Sequence, residues 1–359
     1  MVSEIGSEYW INRNEKYEEI SELPYWLKRF GNTYLTSSGR GAISLALDQF
    51  EPKVKKALLP SYICESVITP FVKAGYELIF YDLDECFAPI NINMDNTDIG
   101  VFLHMGYYGL PTNRNLECLI SKLRSKSVII IEDITHTMFS NYLGLIENDF
   151  IVGSIRKWFG IPSGGFLASN RIIEDKLAVQ PKKILESRIN GLYNKYEYIQ
   201  TMNKSLKEDY LRDFRKAEKL LDDDVNYYRI DELSQKIIIN IDSNILINRR
   251  ISNYNFLLEH LKNVNEIDII FKELNENVCP IFFPIYVKSD RDSLRLYLAK
   301  KDIYCPIHWP VPEPIKDHLV IRTKKIYDSI LSIPCDQRYG TKDMSKIKDA
   351  IIGLTQMKR

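Results

Sequence analysis

Short apolar runs alternate with amphipathic segments over the first half of the chain. The apolar runs predict buried strands at 77–83, 100–108, 128–134, 150–155 and 164–169. The amphipathic segments between them predict helices at 41–50, 65–75 and 116–126. Strands that alternate with helices form βαβ units, so this half predicts an α/β fold with a mostly parallel sheet covered on both faces.

The pattern changes after about residue 172. Residues 182–221 are charged, rich in tyrosine and helical in periodicity, and a second helical segment covers 248–262. The segments that follow predict a strand, a helix and a last apolar run, at 280–287, 291–303 and 326–334. The whole pattern predicts an N-terminal arm, a large domain and a small C-terminal α+β domain, at 1–30, 31–235 and 236–359.

Composition narrows the class of protein. The chain has 359 residues, with 48 Lys and Arg against 48 Asp and Glu, and this zero balance argues against a main role in holding nucleic acid or an anionic membrane. No run reaches the roughly 20 apolar residues of a membrane span, and the first twenty residues lack the apolar core of a signal peptide. Six widely spaced cysteines without a CxxC motif predict reduced thiols in a cytoplasmic protein. No metal-ligand spacing is present, so we expect no metal.

Two of the predicted strands end in residues that could carry chemistry. Asp133 ends one strand, where ligands of parallel sheets bind, although it could equally cap the following turn. Lys157 comes just after the next strand, in the segment SIRK that begins at Ser154. A desolvated lysine amine there could form a Schiff base, whereas the alternative is a lysine in a surface turn.

Two further segments could bind a ligand. Ser38, Gly39, Arg40, Gly41 and Ala42 precede an apolar helix, so the backbone amides and Arg40 could hold an anion. A single phosphate is favoured over a dinucleotide because the third glycine is missing and no clear strand comes before; a plain capped helix is the alternative. Tyr62, after Pro60, could stack on a ring or simply lie in the core.

Three lesser candidates remain open. His104 follows a buried run and is expected to be a hydrogen-bonded core histidine, with a role in a ligand site as the alternative. Arg249 and Arg250 could bind a carboxylate or a phosphate, although a solvated helix face is favoured. His308 and Trp309 lie among prolines, as in a rigid loop.

A lysine for a Schiff base, an acid, a helix N-terminus and an aromatic side chain together meet the needs of pyridoxal phosphate (PLP). The order of these motifs over residues 30–345 resembles the DegT/DnrJ/EryC1/StrS sugar aminotransferases, PLP enzymes of fold type I. The motifs that carry this resemblance are SGRGAI (38–43), PSYICES (60–66), EDITHT (132–137), SIRK (154–157), PSGGFL (162–167), NRRISNYNFLLEHL (248–261) and IYCPIHWPVP (303–312).

The resemblance implies a three-layer PLP-dependent transferase fold and a role for each matching residue. Lys157 would carry the cofactor and move a proton, while Asp133 would hold the pyridine nitrogen. The other implied cofactor-binding residues are Thr135 and Tyr62 on the two faces of the ring, His136 beside its phenolic oxygen, and Gly39, Arg40, Gly41 and Ser154 around the phosphate. His308 and Trp309 would face the substrate, and a homodimer would carry the site at its interface.

Three departures from the family pattern bear on the substrate. Arg40 replaces a threonine, and Ser154 is closer to Lys157 than in typical members. Where the family has a Gly-x-Asn-x-Arg loop that reaches the partner subunit, this chain has only GLYNKYEY (191–198). The resemblance implies transfer of an amino group from a donor such as glutamate to a keto acceptor, for example a nucleotide-linked keto-sugar. A PLP-dependent lyase or dehydratase, and a non-catalytic binding or regulatory protein, are the alternatives.

Overall fold

The computed structural model describes residues 4–19, 22–92, 98–141, 147–224 and 226–357. The strands are β1 (Ile5–Gly6), β2 (Asn32–Thr36), β3 (Lys56–Pro60), β4 (Glu77–Leu83), β5 (Pro89–Ile90), β6 (Val101–Met105), β7 (Ile129–Asp133), β8 (Phe150–Gly153), β9 (Gly165–Ser169), β10 (Ile267–Ile269), β11 (Phe283–Val287), β12 (Ile303–Tyr304) and β13 (Ile330–Ile333). The α-helices are α1 (Tyr25–Lys28), α2 (Gly39–Leu47), α3 (Glu65–Lys73), α4 (Glu117–Ser125), α5 (Lys182–Thr201), α6 (Lys204–Asp223), α7 (Glu232–Ile239), α8 (Ser243–Leu261), α9 (Arg291–Ala299), α10 (Ile321–Ser329) and α11 (Thr341–Met357).

The larger sheet has eight strands in the order β2-β9-β8-β7-β6-β3-β4-β5. The five strands from β8 to β4 are parallel to one another. At the edges of the sheet, the pairs β2-β9, β9-β8 and β4-β5 are antiparallel. The five strands predicted for the first half of the chain are all present in this sheet. The predicted α/β class with a mostly parallel sheet is therefore confirmed.

Three strands of this sheet were missed by the sequence pattern: β2, β3 and the two-residue strand β5. Strand β3 lies between β4 and β6, but its five residues end in a proline, which breaks the apolar run. Strand β2 is half-exposed and begins with Asn and Thr, so its strand character comes from antiparallel pairing with β9. Because β2 leads into the glycines at 39 and 41, the expectation that no strand precedes them was wrong.

Alternating side chains of the central strands supply two apolar cores, one on each face of the sheet. Leu58, Phe102 and Ile130 belong to the core that also includes residues of α4, α5 and α7. Leu59 and Ile131 belong to the opposite core, together with the apolar residues of α2 and α3. The chain thus forms three layers, helix, sheet and helix.

The long helical region predicted for 182–221 is two helices rather than one. Helix α5 ends where Met202 takes a left-handed conformation, and Asn203 caps α6 by accepting a hydrogen bond from the Ser205 amide, 3.0 Å away. Residues 191–198 lie inside α5. The segment GLYNKYEY is therefore helical, and its match to a loop of the family was wrong.

A second, antiparallel sheet of order β10-β11-β13 has its own apolar core, to which α8, α9 and α11 contribute. Near the N-terminus, β1 pairs in parallel with β12, so residues 5 and 6 lie against residues 303 and 304. Among the described helices, none combines the length and the apolar character needed to cross a bilayer.

Candidate active site

A cavity of about 860 Å³ lies at the carboxyl ends of three parallel strands. Met105 ends β6, Asp133 ends β7, and Ser154 follows β8. A volume of this size is typical of sites for small molecules, and such sites form at this edge of α/β sheets. The predicted site residues that line the cavity are Gly39, Arg40, Asp133, Thr135, His136, Ser154, Lys157, His308 and Trp309.

Asp133 caps the turn that follows β7 and also lines the cavity. Its Oδ1 accepts a hydrogen bond from the Thr135 amide at 2.8 Å, so it caps the turn, and its carboxyl group also faces the cavity. Burial raises the pKa of Asp133, although hydrogen bonds from Thr135 act in the opposite direction. A cation bound beside Asp133 would stabilise its ionised form.

Lys157 lies at the end of a single 3-10 turn, Ile155–Lys157, that follows Ser154. The Ile155 amide donates to the Gly164 carbonyl oxygen at 3.0 Å, which ties this turn to the start of β9. The neighbouring Trp158 and Phe159 are buried, whereas the side chain of Lys157 is exposed and reaches the cavity. The turn therefore presents the Lys157 amine to the cavity, near Asp133.

Thr135 joins the two strand ends. Its Oγ1 accepts a hydrogen bond from the Ser154 amide at 2.9 Å, and its carbonyl oxygen accepts one from the indole nitrogen of Trp158 at 2.7 Å. Together with the Asp133 hydrogen bond, these contacts hold the acid and the Lys157 turn in one arrangement.

His136 is buried and uncharged. Its Nδ1 accepts a hydrogen bond from the Tyr108 amide at 3.4 Å. Burial, helped by the charge of Lys157, lowers the pKa of His136 to about 3. At neutral pH this side chain can therefore donate or accept a hydrogen bond without carrying a charge.

His308 and Trp309 line the cavity beside His136. The Nδ1 of His308 lies 2.8 Å from Ser332 Oγ, and burial lowers the pKa of His308 well below its usual value. The ring of Trp309 lies nearly parallel to that of His136, with centroids 5.4 Å apart and planes 25° apart. These two residues, which the sequence placed in a rigid loop, thus contact the cluster around Asp133.

Tyr62 does not line the cavity. It is fully buried beneath Trp309, with the two ring centroids 5.2 Å apart, and it packs on Phe87, Tyr107 and Tyr327. Trp309, which packs on Tyr62, lines the cavity instead. Of the two alternatives for Tyr62, the structure places it in the core.

The first turn of α2 closes one end of the cavity. A Cβ atom on Gly39 would lie 3.0 Å from the Cβ of Ser154, so glycine allows this helix to approach Ser154 closely. The Gly41 amide donates to Ser38 Oγ at 3.1 Å and is therefore already used as a helix cap. The amides of residues 39 and 40 precede it in the turn, where amides lack intrahelical partners.

The guanidinium of Arg40, a residue of the cavity lining, is hydrogen-bonded to residues of α6. It donates to the Leu221 carbonyl oxygen at 2.7 Å and to Asp222 at 2.6 Å. The positive charge that the sequence assigned to an anion site at Arg40 is therefore paired within the chain.

Two cavity residues could not be found from the sequence. Arg188 and Glu218 lie on α5 and α6, far along the chain from Arg156, yet all three meet at the cavity. Both arginines donate to the same oxygen of Glu218, at 3.0 Å from Arg156 and 2.6 Å from Arg188. No local motif links these positions, and only the packing of α5 against α6 reveals the cluster.

The lesser candidates differ from one another. His104 is fully buried and hydrogen-bonded through both ring nitrogens to Asn148 and Asn113, as expected for a core histidine. Arg249 is exposed, but Arg250 is fully buried. The prediction that the two arginines lie on a solvated helix face is therefore correct for Arg249 and wrong for Arg250. Within the ranges that the structure describes, no group of three His, Cys, Asp or Glu residues could hold a metal ion.

No protein-family model and no curated protein matches this chain. Solved structures do match in fold over nearly its whole length. PseC from Helicobacter pylori, an aminotransferase involved in the biosynthesis of pseudoaminic acid, is 11% identical with a TM-score of 0.68, covering 92% of this chain and 88% of its own. DesV from S. venezuelae is 16% identical with a TM-score of 0.66, at 95% and 91% coverage.

A DegT DnrJ EryC1 StrS aminotransferase from Brucella abortus is also similar. It is 14% identical with a TM-score of 0.61, and the match covers 92% of this chain and 89% of that chain. Likenesses at these identities establish the fold. The chain therefore has the three-layer fold predicted for it, the fold of these aminotransferases.

Proposed function

We propose that this protein is a PLP-dependent aminotransferase of the DegT/DnrJ/EryC1/StrS type. The observation that carries the proposal is the placement of Lys157 and Asp133 in one cavity, at the ends of neighbouring elements, with the first turn of α2 at its end. These are the three groups that PLP requires of a protein: an amine, an acid and a phosphate site. The fold shared with known aminotransferases supports the same function.

The residues of the cavity fit this cofactor. Asp133 is a buried carboxyl group, and one of its oxygens accepts a hydrogen bond from a backbone amide. Burial disfavours its ionised form, and the protonated pyridine nitrogen would supply a positive charge that stabilises that form. The close approach of Gly39 to Ser154 forms a narrow cradle in which first-turn amides could bind a phosphate. Lys157 has an exposed amine in the same cavity, within reach of a carbonyl group.

Four residues of the cavity would have separate roles in the reaction. PLP supplies an electron sink when it is bound. Asp133 would keep the pyridine nitrogen protonated, because an ionised carboxylate favours a cation beside it. Lys157 Nζ would hold the cofactor and then carry a proton between the α-carbon of the substrate and the former carbonyl carbon of the cofactor. Neutral His136 would offer a hydrogen bond at the ring of the cofactor, and Trp309, whose ring lies against that of His136, would limit the access of water.

We infer a small amino donor, with glutamate as the first to test, and a keto acceptor such as a nucleotide-linked keto-sugar. A cytoplasmic homodimer with the site at its interface belongs to the same proposal. His308 and Trp309 would then face the substrate, since they line the same cavity beside His136.

The test follows the near-visible absorbance of the purified protein. Addition of PLP is expected to produce a band of lysine-bound cofactor, and excess L-glutamate is expected to remove it. The variant Lys157→Ala should show no such band, whereas Lys126→Ala, which removes an exposed lysine of another surface, should behave as the wild type.

Two outcomes would contradict the proposal in different ways. If Lys157→Ala still binds PLP covalently, another lysine carries the cofactor and the assignment of Lys157 is wrong. If the band forms but no amino donor changes it, the protein is not an aminotransferase. The lyase or the non-catalytic binding protein then becomes the better explanation.

A further inference from the structure

The side chain of Glu4 is buried between two lysines. It is 2% exposed, and the side chain of Lys195, on α5, is 0% exposed. Lys195 Nζ donates a hydrogen bond to Glu4 Oε1, and Lys207 of α6 donates one to Glu4 Oε2 at 2.9 Å. Lys195 also donates to the Tyr210 hydroxyl at 3.2 Å, and Lys207 donates to the Tyr304 hydroxyl at 2.8 Å. This buried cluster lies outside the lining of the candidate active site.

The position of Glu4 in the chain connects the buried cluster to the cavity. Residues 4–11 form one continuous segment, which we call the N-terminal strap. Residues 5 and 6 of the strap pair with β12 as strand β1, and its next three residues, Ser7, Glu8 and Tyr9, line the cavity. Glu4 therefore lies only three residues before a wall of the candidate active site.

A second set of contacts holds the N-terminal strap beyond β1. Arg338 donates to the carbonyl oxygen of Glu8 at 2.9 Å, and its guanidinium lies 4.0 Å from the centroid of the Tyr9 ring. A Cβ on Gly160, three residues after the cavity lysine, would lie 2.3 Å from the carbonyl oxygen of Trp10. The strap thus runs from the buried cluster, along the cavity, to the loop that follows the cavity lysine.

Strand β1 is only two residues long. Its amides donate to the Asp302 carbonyl oxygen and to the Tyr339 hydroxyl, at 2.8 Å each. A segment this short can open locally while the rest of the domain stays folded. A buried carboxylate becomes strongly unfavourable when it loses a partner. Removal of the Lys195 amine should therefore drive Glu4 into water, pull β1 away from β12 and displace residues 7–9.

We propose that Glu4 and Lys195 are positioning residues for the substrate, because they fix the N-terminal strap so that residues 7–9 form a wall of the cavity. The cofactor would take its amine and its acid from Lys157 and Asp133, and its phosphate site from the first turn of α2. None of these groups belongs to the strap, so residues 7–9 would face the volume left for the amino donor and the keto acceptor. The identity of that ligand rests on the proposed function.

The first measurement is hydrogen–deuterium exchange of the full-length protein. In Lys195→Met, the peptide that covers residues 4–11 should exchange about tenfold faster than in the wild type, while peptides of β6 and β7 should exchange as before. Glu4→Gln, which changes only the strap, should have the same effect. The double variant Glu4→Met/Lys195→Met should restore slow exchange, because an apolar pair of similar size can replace a buried ion pair. Lys216→Met, at an exposed lysine of α6, is the control.

The second measurement separates the substrate from the cofactor. The affinity for PLP is measured on the same proteins, together with the rate at which L-glutamate removes the band of lysine-bound cofactor. In Lys195→Met the half-saturating concentration of L-glutamate should rise about tenfold, while the limiting rate and the affinity for PLP change less than about twofold. The double variant should return to the wild-type value, and Lys216→Met should keep it.

Three results would overturn the positioning role. If the strap exchanges rapidly in Lys195→Met but the half-saturating concentration of L-glutamate is unchanged, the strap does not contact the substrate and the ion pair is merely structural. If the affinity for PLP falls to the same extent, the strap serves the cofactor. If both the slow exchange and the response to L-glutamate survive in Lys195→Met and Glu4→Gln, the ion pair does not position the strap.

The two proposals fail separately. If PLP never gives the absorbance of a lysine-bound cofactor, or no amino donor removes it, the proposed function fails. The substrate role of the strap then fails with it, and deuterium exchange still decides whether the ion pair holds the strap. If L-glutamate removes the band with the same half-saturating concentration in the wild type and in Lys195→Met, the function stands and the positioning role is wrong.

Discussion

The guanidinium of Arg250 lies over the indole ring of Trp158, 4.5 Å from its centroid. Arg250 is on α8, and Trp158 directly follows the cavity lysine, Lys157. The same guanidinium donates to Gln337 Oε1 at 2.8 Å, to the Ile281 carbonyl oxygen at 2.9 Å and to the Tyr9 hydroxyl at 3.0 Å. One buried arginine therefore connects the turn that presents Lys157 with four distant parts of the chain.

Replacing Arg250 should weaken the fold more than replacing its neighbour. Arg250→Lys keeps the charge but cannot reach all of these acceptors, so we expect a loss of about 3 kcal/mol in the free energy of unfolding. Arg249→Lys, at an exposed position of the same helix, should change it by less than about 0.5 kcal/mol. Denaturant titration measures both. Equal effects of the two substitutions would show that the buried contacts of Arg250 contribute nothing.

Acid should destabilise the protein partly through His136. Burial and Lys157 lower its pKa to about 3 in the fold, while the unfolded chain has a value of about 6.5. Between these values the unfolded state binds more protons, so stability is complete above the unfolded pKa and falls as the pH drops. From pH 7 to pH 5, His136 should cost about 2 kcal/mol.

The check is the pH dependence of unfolding in His136→Asn. This variant should lose about 2 kcal/mol less than the wild type over that pH range. His104 and His308 keep their own contributions, because burial lowers their pKa values too. His260→Asn, at an exposed site, is the control and should follow the wild type. A His136→Asn curve parallel to the wild-type curve would contradict the prediction.

Gly165 permits a backbone contact that no other residue could make. A Cβ at this position would lie 2.3 Å from the carbonyl carbon of Ser38, which caps α2. Gly165→Ala should therefore displace the start of α2, lower the free energy of unfolding by about 1–3 kcal/mol, and weaken PLP binding.

A second glycine provides the control. Gly353 lies in α11, and in Gly353→Ala the added Cβ would lie 3.6 Å from the hydroxyl of Tyr297 in α9, which is an ordinary contact. This substitution should leave PLP binding unchanged and add about 0.5–1 kcal/mol to stability, because alanine suits a helix better than glycine. If Gly165→Ala behaves in the same way, the contact with Ser38 has no importance.

Trp309 rather than Tyr62 should supply the aromatic wall of the site. Trp309 lines the cavity next to His136, and Tyr62 is buried beneath it. Trp309→Ala should weaken PLP binding about fivefold, or about 1 kcal/mol, whereas Tyr62→Phe should leave it unchanged. Equilibrium binding of PLP compares them. Weaker binding in Tyr62→Phe alone would restore the role that the family resemblance gave to Tyr62.

Much of the large sheet followed from local pattern. The strands that end at Asp133 and just before Ser154 are continuous apolar runs. A run of this kind predicts a buried strand from its own residues, without knowledge of the segments that pack on it. Because parallel strands place their carboxyl ends at one edge, the sequence could also predict that Asp133 and Lys157 lie near each other. The prediction failed for β2, where pairing with β9 overrides a polar, half-exposed sequence.

The sequence by itself thus determined which segments are buried strands and amphipathic helices, and which chemical groups come at their ends. Only the tertiary structure decided that Arg250 is buried while Arg249 is not, that Trp309 covers Tyr62, and that Arg156, Arg188 and Glu218 meet. Periodicity records how one segment divides its side chains between core and solvent. The packing of whole layers decides which distant segment contacts a given side chain, and no local sequence pattern contains that information.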